Sequence, residues 1–446
     1  MPMQVTETSA AGLKREYRVV VPATDLAAKV AERLDDLKGK VQLRGFRPGK
    51  VPVAHLKRLY GKAAMAEVIE AAVREANTKI VADNGYKLAT EPKVVPEEGA
   101  VEGVIEGKAD LAYTVEMEIV PPITLTDFKA IKLERQTAEV TDTEIDESVK
   151  RIAEQNRPFG PKTEAAEKGD RVTVSFQGTV DGAPFEGGSA EGVPILLGSG
   201  QFIPGFEDKL IGIKTGESRT FDIKFPDAYA APALAGKEAT FAVTASTVET
   251  PGELKIDDDF AKALGLESLA KLREGVKDRL AREHAGASRQ RLKRALLDQL
   301  DERHKFEPPP SLLDQEFNTV WGTVEGDLKA QGRTFADEGT TEEKAREEYR
   351  AIAERRVRLG LVIAEIGERN NIKVTDEQLT AAVVERARQL PGQEQQVWDY
   401  YRNNPGALAG LRAPIFEEKV VDFLLELADI TDKPVSREEL FKEDEE

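Results

Sequence analysis

The chain has no cysteine and only three histidines, His55, His284 and His304, far apart in sequence. Disulfides and thiolate chemistry are excluded. A histidine-rich metal site or a Ser-His-Asp triad is not expected. No apolar run reaches about 18 residues, so no membrane span is expected. The opening MPMQVTETSAAGLKREY has no apolar segment like that of a secretory signal, and the expected location is the cytoplasm. A phosphate-binding GxxxxGK[ST] loop is also missing, so ATP is not implied. No metal and no cofactor are expected.

What is present suits a large, water-exposed globular protein. The 446 residues are too many for one ordinary core, and two to four domains are expected. Charged residues make up 32% and the net charge is −18, which argues against general nucleic-acid binding. Any contact with nucleic acid must therefore come from a local patch.

The pattern along the chain predicts a multidomain α+β protein. Residues 1–118 read as an α+β unit. A strand over 13–22 is followed by apolar residues at helical spacing (Leu26, Val30, Leu34, Leu37, Val41), a loop, a helical stretch from Val53 to about Asp83, and strand-like runs near 87–95 and 109–120. Residues 119–160 read as an extended linker and a helix, with 141-TDTE-144 as a capping box. Over 161–250 the alternation of Val172, Val174 and Phe176, of Phe221, Ile223 and Phe225, and of Phe241, Val243 and Ala245 predicts half-buried antiparallel strands. Residues 251–432 are mostly helical, with starts near Ser311, Thr341, Thr375 and Pro414. Residues 433–446 read as an acidic, frayed tail.

Two local features bear on function. Between Leu37 and Ala66 there are eight Lys or Arg and no Asp or Glu, in a chain with 81 acids and 63 bases. Such a patch attracts phosphate, and its binding should weaken with salt. At its centre is 43-LRGFRPGKVP-52. Phe46 either inserts into a partner, with the arginines on phosphate or carboxylate, or tucks back onto its own domain. The second feature is the set of aromatic residues on the strands of 161–250, which spacing alone would assign to a core. Trp321, Phe335 and Trp398 in the helical part are either exposed contacts or packing between helices, and packing is the better reading.

Three groups of motifs carry a resemblance to the bacterial trigger factors. GFRPGKVP resembles the family's ribosome-docking signature, although Pro48 stands where many members have Lys. The stretches 169-GDRVTVSFQGTVDGAPFEGG-188, 193-VPILLGSGQFIPGFEDKLIGIKTGE-217 and 240-TFAV-243 resemble an FKBP-type prolyl isomerase. The stretches 306-FEPPPSLLDQEF-317, 355-RRVRLGLVIAEIGERNNIKVT-375 and 419-KVVDFLLELADIT-431 are similar to the trigger-factor C-terminal domain, a helical body with arms that contributes to a cradle for unfolded chain.

The resemblance implies that Arg44, Gly45, Phe46, Arg47, Pro48, Gly49 and Lys50 dock on the large ribosomal subunit (protein and rRNA) at the tunnel exit. It implies a proline-binding cup of Phe176, Phe185, Glu186, Ile195, Phe202, Ile203, Phe206, Tyr229 and Phe241, with the Ile203 amide as a donor to substrate. The implied protein is a cytoplasmic chaperone that shields nascent and unfolded polypeptides, isomerises X–Pro bonds, has links to protein export and cell division, touches no membrane, and forms a homodimer off the ribosome. Alternatives are a ribosome-independent isomerase or holdase, and a chaperone whose FKBP module is inactive.

Overall fold

The computed structural model describes residues 3–40, 51–97, 100–226, 229, 231 and 234–442. The chain forms two compact units: residues 1–135 with 290–432, and residues 136–289 with 433–446.

The first unit opens with β1 (Gln4–Ala11), β2 (Lys14–Val21), α1 (Ala23–Lys40), α2 (Val53–Asn84), β3 (Lys93–Pro96), α3 (Ala100–Ile105) and β4 (Leu111–Glu118). The strands form an antiparallel sheet in the order β1-β2-β4-β3. Alternation in β2 turns Tyr17, Val19 and Val21 inward, and Leu26, Val30 and Leu34 of α1 pack on the same core. Lys29 pairs with Glu75 and Arg33 with Glu67, each at 2.7 Å, so α1 and α2 run antiparallel. α2 ends at Gly85, whose positive φ of 64° lets its N–H turn back to the Ala82 carbonyl. β1 was not legible: its residues are almost all exposed, and its placement comes from pairing with β2.

The second unit takes over within β5 (Lys132–Thr137) and continues through α4 (Asp142–Gln155), β6 (Phe159–Pro161), β7 (Arg171–Val180), β8 (Ala183–Leu196), α5 (Phe206–Leu210), β9 (Ser218–Lys224), β10 (Glu238–Pro251) and α6 (Asp258–Ala263) into α7 (Leu269–Arg303). The expected capping box starts α4: Thr141 Oγ1 accepts from the Glu144 amide, and the Glu144 carboxylate accepts from the Thr141 amide. The sheet order is β6-β10-β7-β8, with β9 on the other part of β10. Ile145 and Val149 of α4 close a separate core with Leu272, Val276 and Leu280 of α7.

The first unit resumes with the end of α7, then α8 (Pro310–Gln331), α9 (Glu342–Arg369), α10 (Asp376–Arg388), α11 (Glu394–Asn403), α12 (Pro405–Leu427) and most of β11 (Asp429–Pro434). Ile123, Ile131 and Leu133, expected in an extended linker, are buried among Leu296, Leu300, Val362, Ile366 and Leu424. His304 is buried: its Nδ1 lies 2.7 Å from the Leu300 carbonyl and its Nε2 accepts from the Thr126 amide at 3.3 Å. The helix expected from Pro414 starts at Pro405, a residue suited to a first helical position, and carries Pro414 inside it.

The acidic end differs from expectation. It is not a frayed tail as far as Lys442. α13 (Arg437–Phe441) is capped by Ser436, buries Leu440, packs Phe441 against the His284 ring at 5.5 Å, and pairs Arg437 with Glu144 at 3.2 Å. An apolar pair and a cap outweigh the charge of the segment.

Candidate functional site: an aromatic cup on the antiparallel sheet

The second unit carries a cavity of about 360 Å³. β7 supplies Phe176, β8 Phe185, the 201–206 segment Phe202, Ile203 and Phe206, and β10 Phe241; Phe225, Pro226 and Tyr229 close one side. Phe206 is the hub. Its ring centroid is 5.3 Å from Phe241, 5.8 Å from Phe176 and 5.5 Å from Phe202, the last nearly parallel. Phe185 meets Phe225 and Phe241 edge-on, and Tyr229 lies 4.7 Å from Phe225. Phe176, Phe185, Phe206, Phe225 and Phe241 each meet two or more other rings, which resists collapse of the cup, whereas Phe202 meets Phe206 and Tyr229 meets Phe225.

Seven of the nine residues predicted for the cup line it: Phe176, Phe185, Phe202, Ile203, Phe206, Tyr229 and Phe241. Two do not. Ile195 is fully buried opposite Val172, in the same core as Phe206 and Phe241 but outside the lining. Glu186 stands exposed on β8, on the face opposite Phe185. Phe225, read as core, lines the cup as well as being buried, whereas Phe221 packs on Phe206 at 5.5 Å outside the lining.

Polar order around the cup comes from a residue that the motif reading passed over. Glu207 is 7% exposed. Its Oε2 accepts from the amides of Gly198 at 2.7 Å and Gly200 at 3.1 Å. Its Oε1 accepts from Ser199 Oγ at 3.0 Å and from the amides of Gln201 at 3.0 Å and Phe202 at 3.4 Å. Burial alone would raise this carboxyl. The Gly200, Gly198 and Phe202 amides and the Ser199 hydroxyl overcome that and hold it below the ordinary carboxylate range. Its signal in the sequence was an acid directly after the cup aromatic, preceded by the glycine-rich 198-GSGQ-201. Among the described residues the Ile203 amide donates no hydrogen bond. No group of three or more His, Asp or Glu among them is disposed to hold a metal.

Such a cup can hold a proline ring and exclude water from the preceding amide. Among the described residues its lining carries no His, Asp, Glu, Lys or Arg, and the Tyr229 hydroxyl is its one titratable side chain.

The first unit has a second concavity, of about 600 Å³, between α10, α11 and α12. Leu379, Val383, Trp398, Tyr401 and Leu408 line it, with Arg402, Arg412 and Asp376 at its rim. Trp398 is 37% exposed there. Trp321 instead stacks between Phe317 and Phe335 as helix packing. The predicted docking residues Arg44, Gly45, Phe46, Arg47, Pro48, Gly49 and Lys50 lie outside the described residues. Their flanks do not: Val51 and Leu56 are buried in the core, and the first turns of α2 hold Lys57, Arg58 and Lys62 on the surface. No described helix is long and apolar enough to cross a membrane.

Three family models match in succession. Residues 3–152 match the bacterial trigger factor protein, residues 162–246 the FKBP-type peptidyl-prolyl cis-trans isomerase, and residues 268–426 the bacterial trigger factor C-terminus. The chain is 65% identical over 446 residues to a trigger factor of Azorhizobium caulinodans, covering 100% of this chain and 99% of the relative. It is 61% identical to one from Xanthobacter autotrophicus, with 99% of each chain covered. A solved structure described as "Promiscuous Substrate Recognition in Folding and Assembly Activities of the Trigger Factor Chaperone" superposes with a TM-score of 0.57 at 22% identity, covering 95% of this chain and 99% of that one. With three successive domain matches and full-length relatives of this identity, the chain belongs to the bacterial trigger factor family of chaperones.

Proposed function

We propose that this chaperone docks on the large ribosomal subunit through residues 44–50, holds nascent and unfolded polypeptides in the cytoplasm, and isomerises X–Pro bonds in them. The observation that carries the isomerase reading is the aromatic cup with the Ile203 amide, which has no partner among the described residues, at its lining. Rotation about X–Pro faces a barrier of ~18–20 kcal/mol because amide resonance must be broken. No bond is made, so neither a nucleophile nor a cofactor is needed. A dry apolar cup disfavours the dipolar planar amide more than the twisted one, and that difference lowers the barrier. In this reading the proline ring rests on Phe206 between Phe176 and Phe241. The Ile203 amide holds the carbonyl beyond the proline.

The α10–α12 groove supports the holding role, since an exposed apolar concavity with a charged rim suits extended chains of no fixed sequence. The basic surface of the first turns of α2 supports a phosphate-rich partner for this part of the chain.

The test is refolding of a protein limited by proline isomerisation. The wild-type chain is expected to accelerate the slow phase at catalytic concentration, and Phe202→Ala to lose most of that acceleration. An unaccelerated slow phase with wild type removes the isomerase reading and leaves a chaperone with an inactive FKBP module.

A further inference from the structure

We infer that Glu207 is a positioning residue of the isomerase site, the group that holds the 198–203 loop in the shape that presents Phe202 and the Ile203 amide to substrate. The inference rests on the isomerase reading above.

Four backbone N–H groups and one hydroxyl converge on its two carboxylate oxygens, all within 3.4 Å. That number of donors exceeds what a helix cap or a turn requires. The loop needs it. Gly198 and Gly200 both have positive φ, 90° and 70°, so the chain reverses twice within three residues and turns its amides to one side. No strand ladder or helix holds residues 198–203. The carboxylate replaces that ladder. Its hydrogen bonds run through residues 198, 199, 200, 201 and 202 and stop there, and the next amide, Ile203, has no partner among the described residues.

The position of Glu207 in sequence adds to this. It follows Phe206, the hub of the cup, at the start of α5. One backbone step therefore sets the floor ring on one side and the anchor of the rim loop on the other, so floor and rim keep a fixed spacing. A misplacement of about 1 Å in such an arrangement can cost on the order of a hundredfold in rate.

Carboxylate chemistry is required for this. A carboxylate only accepts, whereas a carboxamide must turn an NH2 toward donors. Glu207→Gln keeps the volume and breaks at least two of the five hydrogen bonds.

The experiment measures kcat and KM for cis–trans isomerisation of a Leu-Pro test peptide by the full chain, together with the thermal midpoint. The variants are Glu207→Gln, Glu207→Asp and Leu210→Ala. Leu210 is fully buried on the same short helix but does not line the cup, so it reports on loss of stability alone. Glu207→Gln is expected to lower kcat about tenfold, with KM within about twofold. Leu210→Ala, with an equal or larger fall in midpoint, is expected to keep kcat within about twofold. A wild-type kcat in Glu207→Gln overturns the proposal, as does an equal loss in Leu210→Ala at matched stability. Should Glu207→Gln not fold, Glu207→Asp decides. It keeps the charge and withdraws it by one methylene, and kcat is expected to fall at least about threefold with KM unchanged; an unchanged kcat overturns the proposal. If the wild-type chain does not isomerise the peptide, the isomerase reading fails first, and that outcome is distinct from an active wild type with an active Glu207→Gln.

Discussion

Gly178 of β7 sits directly opposite Phe241 of β10, and a Cβ at position 178 would come within 2.6 Å of the Phe241 ring and 3.0 Å of Phe185. The missing side chain here makes room for the two lining rings, as Gly188 of β8 does for Phe185, where a Cβ would lie 2.9 Å from the ring. Gly178→Ala must push two lining rings, and the free space next to them is the cavity itself. We expect a loss of about 1–3 kcal/mol in stability from overpacking. The catalysed isomerisation rate should fall at least about tenfold, through KM as well as kcat, because the proline ring loses its volume. Peptide isomerisation kinetics and thermal melting of the same preparation check both numbers.

A second close approach lies in the helical part of the first unit. The Phe416 ring of α12 packs on Gly367 of α9, where a Cβ would lie 2.1 Å from it. Gly367→Ala should separate the two helices locally and cost about 1–3 kcal/mol, read by urea unfolding. Isomerisation of a short peptide should be unchanged, since the cup belongs to the other unit. A variant equally stable to urea would contradict this packing.

How much of these arrangements the sequence shows depends on how local their cause is. The capping box at Thr141/Glu144 and the helix start at Thr375, itself a capping box with Gln378, are legible because four consecutive residues determine each. The aromatic lining is legible from ordered motifs, not from period-two alternation, which assigns Val174 and Phe176 alike to an inner face although only Phe176 lines the cup. Glu207 was missed because its five donors are backbone groups and one serine, which leave no side-chain pattern to read. The helix at the acidic end is hidden by its net charge, and its local cause is 436-SREELF-441, in which a capping serine precedes an apolar pair. β1 was missed because an exposed edge strand carries no apolar alternation.

Acid should weaken the helical part in a defined window. The half-buried position of Asp301 would raise its carboxyl, but Lys305 and Arg358, both at 2.8 Å, hold it below the ordinary Asp value of 3.8. The folded group binds its proton less tightly than the unfolded one. Its stabilisation is therefore complete above about pH 5 and is withdrawn as pH falls through the ordinary value toward the folded one. Asp301→Asn should lower the thermal midpoint at pH 7 and flatten its decline below about pH 5. An equally steep decline in the variant would remove Asp301 from the cause.

Ribosome docking is tested by co-sedimentation over a salt series. Wild-type binding should weaken steeply with salt, since the basic window carries eight cations and no acid. Phe46→Ala with Arg47→Ala should abolish it at every salt concentration, and equal binding by wild type and the double variant would sink the docking reading. Pro48→Lys should leave affinity unchanged or raise it modestly; a loss would show that Pro48 is itself required.

The most direct measurement is NMR exchange spectroscopy of an X–Pro peptide with the full chain, observing peptide exchange and the Ile203 amide together. The expected result is accelerated cis–trans exchange, a shift of the Ile203 resonance on saturation, and loss of both in Phe202→Ala. Accelerated exchange that leaves Ile203 unmoved, or persists in Phe202→Ala, would contradict the assignment of the aromatic cup as the site of isomerisation.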